Sequence, residues 1–371
     1  MRRLLCLLVL SLAIVLGGCT NDTTEPTVTD PTHIYEEVRE DFRIDAEVVS
    51  FPGDGSVTIY EATPRKLTQE QINDFLSANG DAVVEWTNLL NPDRYFGYTA
   101  DTLLNGFFRH SVSKSTMEPG NMDYRNSGYE RWDNAQIYFG QEHSDNSAQY
   151  AFGHLFTEPR DFNFATASEA MEAVLQKLSD LGFVNLIHHR TLYVDHDVLA
   201  NTVTPELRTD EWQSLFPEGL VTYDDWSEAD DGYIFEFFTG VDEIPLAYHS
   251  FINDTYFYNG SSVLVWYQSS GIIYLNAPTS LWSLGDPVET VSQLIPATEA
   301  LSIARIKLEN TKVYTNTTIN KISGEYIYTP DGDNFQLRPV WVVYATTEST
   351  ITGATTTNRI VIDAITGDEV M

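Results

Sequence analysis

The chain has almost no cysteine. Cys6 and Cys19 are the only two. Nothing after Cys19 can therefore form a disulfide, a thiol nucleophile, a thiolate metal site or an iron–sulfur cluster. Basic residues are also scarce, with 21 Lys and Arg against 54 Asp and Glu, for a formal charge of −33. Such a surface repels phosphate backbones, so no nucleic-acid partner is expected. The acids are dispersed, as in Glu36-Glu37, Asp224-Asp225 and Asp230-Asp231, which reads as a solvated exterior. Gly-x-Ser-x-Gly, His-Glu-x-x-His and glycine-rich phosphate loops are missing, and with them any complete motif for serine chemistry, zinc hydrolysis or nucleotide binding. No catalytic residue, resident metal or cofactor is expected.

The one long apolar run, residues 4–16, follows Arg2 and Arg3 and leads to Leu16-Gly17-Gly18-Cys19. It is short for a bilayer span and has the flanks of a signal peptide. The pattern resembles a bacterial lipoprotein signal, in which cleavage before Cys19 leaves a thiol that carries palmitate and related acyl chains. The expectation is a signal peptide over 1–18 and a lipidated Cys19. A flexible tether over 19–38 would follow, rich in Thr, Asp and Pro, with the protein held at the extracytoplasmic face of the cell membrane.

Alternation of Ile44, Ala46 and Val48, the turn Pro52-Gly53-Asp54-Gly55, and Val57, Ile59 and Tyr60 predict a hairpin. Capping boxes at Thr68–Gln71 and Thr166–Glu169 open helices. The first carries Ile72, Phe75 and Leu76; the second carries Ala170, Val174, Leu178 and Leu181 and stops at Gly182. Asp286-Pro287 predicts a third helical region, interrupted at Pro296 and resuming through Ala300, Ile303, Ala304, Ile306 and Leu308. Tyr233–Phe238, Val263–Gln268, Ile272–Leu275, Val340–Tyr344 and Arg359–Ile362 read as strands, with Ser269-Ser270-Gly271 joining two of them. Helix followed by strands occurs twice. The predicted class is α+β, with antiparallel sheets, helices packed on one face and two domains, 39–285 and 286–371.

The C-terminal pattern is a helix around Ala297–Ala304, a strand from Asn320 to Tyr328, Leu337–Tyr344, and the closing Arg359-Ile360-Val361-Ile362-Asp363-Ala364-Ile365-Thr366-Gly367-Asp368. It resembles a PepSY-type domain. In that ending Asp363 can cap a turn through its side chain, Gly367 permits positive φ, and Val370 re-enters the sheet. With Tyr233–Phe237 and Glu243–Leu246, the layout is similar to YycH- and YycI-type extracytoplasmic regulators and to Gram-positive lipoproteins. Those regulators are usually held by a transmembrane helix, whereas here Cys19 would anchor the chain. The resemblance implies a non-enzymatic protein-binding or regulatory module with an envelope protein as partner, and it carries over no catalytic residue.

His188, His189 and His196 lie near Asp195 and Asp197, a set of groups that suits zinc. On a strand, however, His188 and His189 point to opposite faces, as do Asp195 and His196. Pro330-Asp331-Gly332-Asp333-Asn334 lacks the spacing and closing Glu of a calcium loop and reads as a tight turn. An enzyme would need acids or histidines, such as His189 or His196, to converge in one pocket. Of 20 Tyr, 19 Phe and 7 Trp, Tyr256, Tyr258 and Trp282 lie near turn residues. They are the candidate exposed rings for partner contact, or for glycan or peptide binding in the alternative reading.

Overall fold

A computed structural model describes residues 32–53, 55–79, 83–87, 94–99, 107–111, 121–126, 129, 132, 152–183, 185–210, 213, 222–247, 251–252, 257–258, 262–277, 282–310, 315–331, 334–349 and 355–370. The expected leader, Cys19 and most of the expected tether lie outside these residues. The tether's last part does not: His33–Arg39 forms a strand, β1, on Phe42–Val49, β2.

A seven-stranded sheet takes chain from both ends of the sequence. To β1 and β2 it adds Val57–Pro64 (β3), Trp282–Val291 (β15), Thr315–Asp331 (β16), Asn334–Ser349 (β17) and Thr355–Asp363 (β18). Its order is β1-β2-β16-β17-β3-β15, with β18 also on β17. The alternation in β2 buries Phe42, Ile44, Ala46 and Val48, as a strand with one core face requires. The predicted hairpin between β2 and β3 is not found. The long hairpin β16–β17 separates them, β2 running parallel to β16 and β3 antiparallel to β17.

A nine-stranded sheet holds the middle of the chain: Val83–Thr87 (β4), Arg94–Thr99 (β5), Phe107–Ser111 (β6), Asn121–Arg125 (β7), Leu186–Val194 (β8), Gly232–Val241 (β9), Ile244–Pro245 (β10), Ser262–Gln268 (β13) and Gly271–Ala277 (β14). Phe251–Ile252 (β11) and Phe257–Tyr258 (β12) pair with each other.

Both capping boxes form. Helix α1 (Gln69–Ala78) starts on Thr68, and α2 (Ala167–Leu181) starts on Thr166 and ends at Gly182 with φ +87. They cover one face of the nine-stranded sheet, burying Ile72, Phe75, Val174 and Leu178 against Tyr233, Phe235 and Val265. The opposite face is covered too: Phe152, Phe156, Leu199, Val203, Trp132 and Trp226 close over Ile234, Trp266 and Ile273. Helix α3 (Ala297–Asn310) presents Ala297, Ala300 and Ala304 to the seven-stranded sheet, and the Trp341 indole N–H donates to the Ile295 carbonyl at 2.9 Å.

The expected class is thus corrected. Strand outweighs helix, the seven-stranded sheet is mixed, and the nine-stranded sheet is covered on both faces instead of carrying helices on one. Parallel pairing of β2 with β16 joins segments far apart in sequence, which no local period encodes. Asp286-Pro287 opens no helix but lies inside β15, at two register shifts against β3. Proline is tolerated there because β15 is an edge strand. The position expected to divide two domains, 285/286, falls within the same strand.

The ending forms as the turn chemistry requires. Asp363 Oδ1 accepts the N–H groups of Ile365 and Thr366, Gly367 has φ +77, and the Val370 N–H donates to the Val361 carbonyl.

Candidate functional site

The two sheets meet where β10 leaves β9. The Ala247 N–H donates to the Tyr326 carbonyl at 2.7 Å, and the Tyr60 hydroxyl donates to Asp242 Oδ2 at 2.9 Å. Beside this junction opens a cleft of about 620 Å³. Its floor is the face of the seven-stranded sheet turned away from α3. Strand alternation puts Lys321, Ser323 and Glu325 of β16 on that face, with Tyr344 of β17 and Thr357 of β18.

Tyr344 is directly opposite Lys321 on one side and Arg359 on the other. The Lys321 ammonium lies 5.7 Å from its ring centre and the Arg359 guanidinium 5.8 Å, both within cation–π range. The Tyr344 hydroxyl donates to Glu325 Oε1 at 2.8 Å. Glu325 is only 4% exposed. Burial pushes its carboxyl above the ordinary glutamate value, against the opposing pull of the Tyr344 bond and the Lys321 charge. Burial, followed by the charge of Glu325, pushes the Tyr344 hydroxyl well up.

The other wall comes from the nine-stranded sheet. Ile187, His188 and His189 stand with Phe238 on one side, and Glu243, Pro245 and Leu246 on the other. His188 and His189, expected on opposite faces, both contribute to the lining of this cleft, but the His188 ring meets Phe237, 5.9 Å between centres, on the helix-covered side of the sheet. A β-bulge between His188 and Arg190 shifts the register against β9 at this point. The His189 ring centre is 4.6 Å from that of Phe238. His188 shares a 2.9 Å hydrogen bond with the Thr191 hydroxyl, and burial pushes its imidazole below the ordinary value, toward the neutral form.

Asp195 and His196, also expected on opposite faces, come together because the strand ends at Val194. Asp195 caps the helical turn His196–Val198, accepting from Asp197 and Val198 N–H. His196 Nδ1 lies 2.8 Å from Asp231 Oδ1, and the three side chains offer ligand atoms within 4.8 Å of one another. Both carboxylates are already engaged by the fold. Asp195 is ion-paired with Arg160, and Asp231 holds the backbone N–H and ring of His196. The hydrogen bond that the His196 ring donates to Asp231 raises the His196 pKa. These contacts explain the cluster as the anchor of the 196–207 segment, and a guanidinium on one carboxylate opposes a second cation.

Of the candidate rings, Trp282 is buried. It stacks on Tyr328 with centres 3.7 Å apart and meets Phe335 edge-on. Tyr256 lies outside the described residues, and Tyr258 is placed only as a β12 residue opposite Phe251. Residues 332–333 of the Pro330–Asn334 turn also lie outside them, while Asp331 and Asn334 pair at the β16–β17 end. Glu325, Lys321, Tyr344 and Glu243 also line the cleft, and no motif in the sequence marks them. Glu325 left one signal, a lone acid in the otherwise uncharged run Ile322–Tyr328.

No family model matches the chain, and no curated protein matches it in sequence. Among solved structures, an uncharacterized protein from Eubacterium rectale aligns with a TM-score of 0.64 at 16% identity, over 92% of this chain and 94% of that one. That likeness shows a shared fold. The C-terminal domain of Bacillus megaterium YpeB covers 82% of this chain and 96% of its own at 12% identity, but its TM-score of 0.28 carries no argument. Among the described residues, no helix is long and apolar enough to cross a membrane.

Proposed function

We propose that this chain is a lipid-tethered extracytoplasmic binding protein. It acts without catalysis and receives a segment of an envelope protein in the cleft between its sheets. The cleft carries the reading. Its volume suits a few residues of extended peptide, and it lies at the junction of two layers, where ligand sites concentrate. Its lining mixes rings with hydrogen-bonding groups, Phe238 and Tyr344 beside Asn320, Ser323 and Thr357, as recognition of a polar chain requires. The leader and Cys19 support a membrane-surface location. The PepSY-like ending supports a regulatory role, and the missing catalytic motifs support a non-enzymatic one. The glycan alternative loses support, because Trp282 turns its ring into the core.

A photoreactive residue at Val49, a cleft residue that is 40% exposed, tests the binding role in intact cells. The expected result is one reproducible cross-linked protein that the same probe at Glu289, on the β15 edge, does not capture. Equal capture at both positions, or none, overturns the reading. Cys19→Ser is expected to move the protein out of the membrane fraction; retention there removes the lipid anchor.

A further inference from the structure

The hairpin joining β9 to β10 carries the least comfortable backbone in the cleft. Val241 pairs with Ile244, leaving Asp242 and Glu243 as a two-residue loop with φ +51 and +68. Such a turn demands positive φ at both positions and is normally Asn-Gly or Asp-Gly. Asp242 fits that pattern, and the Tyr60 hydroxyl holds its carboxylate. Glu243 does not fit. A long side chain stands where glycine is favoured, and among the described residues its carboxylate has no hydrogen-bond or ion-pair partner. Nothing local accounts for the strain, and strain of this kind collects at ligand sites.

Glu243 lines the cleft, facing a set of charges of mostly one sign. Glu47 lines the opposite wall on β2, and Glu325 lies in the floor. Against these three carboxyl groups the cleft sets one ammonium, Lys321, which sits over the Tyr344 ring. His188 and His189 are the other titratable groups that line it, and burial holds His188 toward its neutral form. Arg359 lies on the far side of Tyr344. The chain's overall charge of −33 further raises the local concentration of cations.

We propose that the cleft selects a positively charged segment, a lysine or arginine side chain of an extended peptide, received by the carboxylates of Glu243 and Glu47. This rests on the cleft being the binding site, and it adds the chemical class of the ligand. Glycine or asparagine at this position would give the turn without the charge that Glu243 supplies. Phe238 and the rim of Tyr344 supply apolar surface for the aliphatic stem of such a side chain.

The test titrates the purified full chain with tetralysine, tetraserine and tetraglutamate at about 0.15 M salt, where surface attraction is screened. Tetralysine is expected to bind, and Glu243→Gln or Glu47→Gln to weaken it about tenfold, the effect of losing one charge-assisted contact. Glu289→Gln, outside the cleft, is expected to leave it unchanged. Equal losses in all three variants would make the binding a property of net charge and overturn the proposal. Glu243→Gly separates turn from charge: a higher unfolding midpoint with weaker tetralysine binding supports the proposal, and unchanged affinity overturns it. The same peptides are added to chain carrying the photoreactive residue at Val49. Capture of tetraserine or tetraglutamate in preference to tetralysine overturns the cationic ligand and leaves the cleft reading standing. Capture of none overturns both.

Discussion

Asp363 and Arg338 lock the last turn of the chain onto β17. Arg338 donates to Asp363 Oδ2 through Nε and Nη2 at 3.3 and 3.2 Å, while Asp363 Oδ1 takes the two N–H groups of the turn. One largely buried carboxylate thus organises the turn and neutralises a guanidinium beneath it.

Asp363→Ala leaves two turn N–H groups and a partly buried arginine without that partner. The expected loss is about 1–3 kcal/mol, read as a lower urea midpoint. Deleting residues from Arg359 onward removes Ile360 and Ile362 from the core and should abolish cooperative unfolding of the seven-stranded sheet, followed by Trp341 fluorescence. Deleting 20–31 should leave the unfolding transition where it was.

Trp282→Ala empties the space between Tyr328 and Phe335. A buried tryptophan truncated in a packed core costs about 3–5 kcal/mol, so thermal unfolding should show a large drop in midpoint. A drop within the small range of exposed substitutions would mean that the ring is not in the core.

Glu325 tests the pH dependence built into the cleft floor. Its folded pKa is raised above the ordinary value of 4.5. The stability associated with its protonated form is therefore present in full below 4.5 and is lost as pH rises through the raised value. Glu325→Gln removes that dependence. Chemical denaturation at a series of pH values should show the variant gaining on the natural chain as pH rises from about 4 to about 8. A constant difference across the series contradicts the assignment.

His196 carries a slope of the same sign. Asp231 raises its pKa above 6.5, so the stabilising pair is complete below 6.5 and fades as pH climbs through the raised value. His196→Gln should cost more at about pH 6 than at about pH 8.5. Added zinc should leave the unfolding midpoint unchanged, because Arg160 already occupies Asp195; a rise in midpoint would show that the cluster takes the metal.

What the sequence determined by itself was local. Thr68 and Thr166 announced two helices, Gly182 ended one, and the alternation in β2, the Ser269-Ser270 turn and the Asp363–Gly367 ending all formed, because caps, turns and strand periods depend on neighbours within a few residues. Only the tertiary structure decided which strands pair. It set β2 beside β16, placed β3 across β17, and drew Asp286-Pro287 into an edge strand. The site followed from that decision. Pairing of β8 with β9 set the His189 ring beside Phe238, and alternation across β16, β17 and β18 gathered Lys321, Glu325, Tyr344 and Thr357 from distant segments. The cleft exists only where two sheets meet, and no local pattern specifies that meeting, because it depends on burial shared between segments hundreds of residues apart.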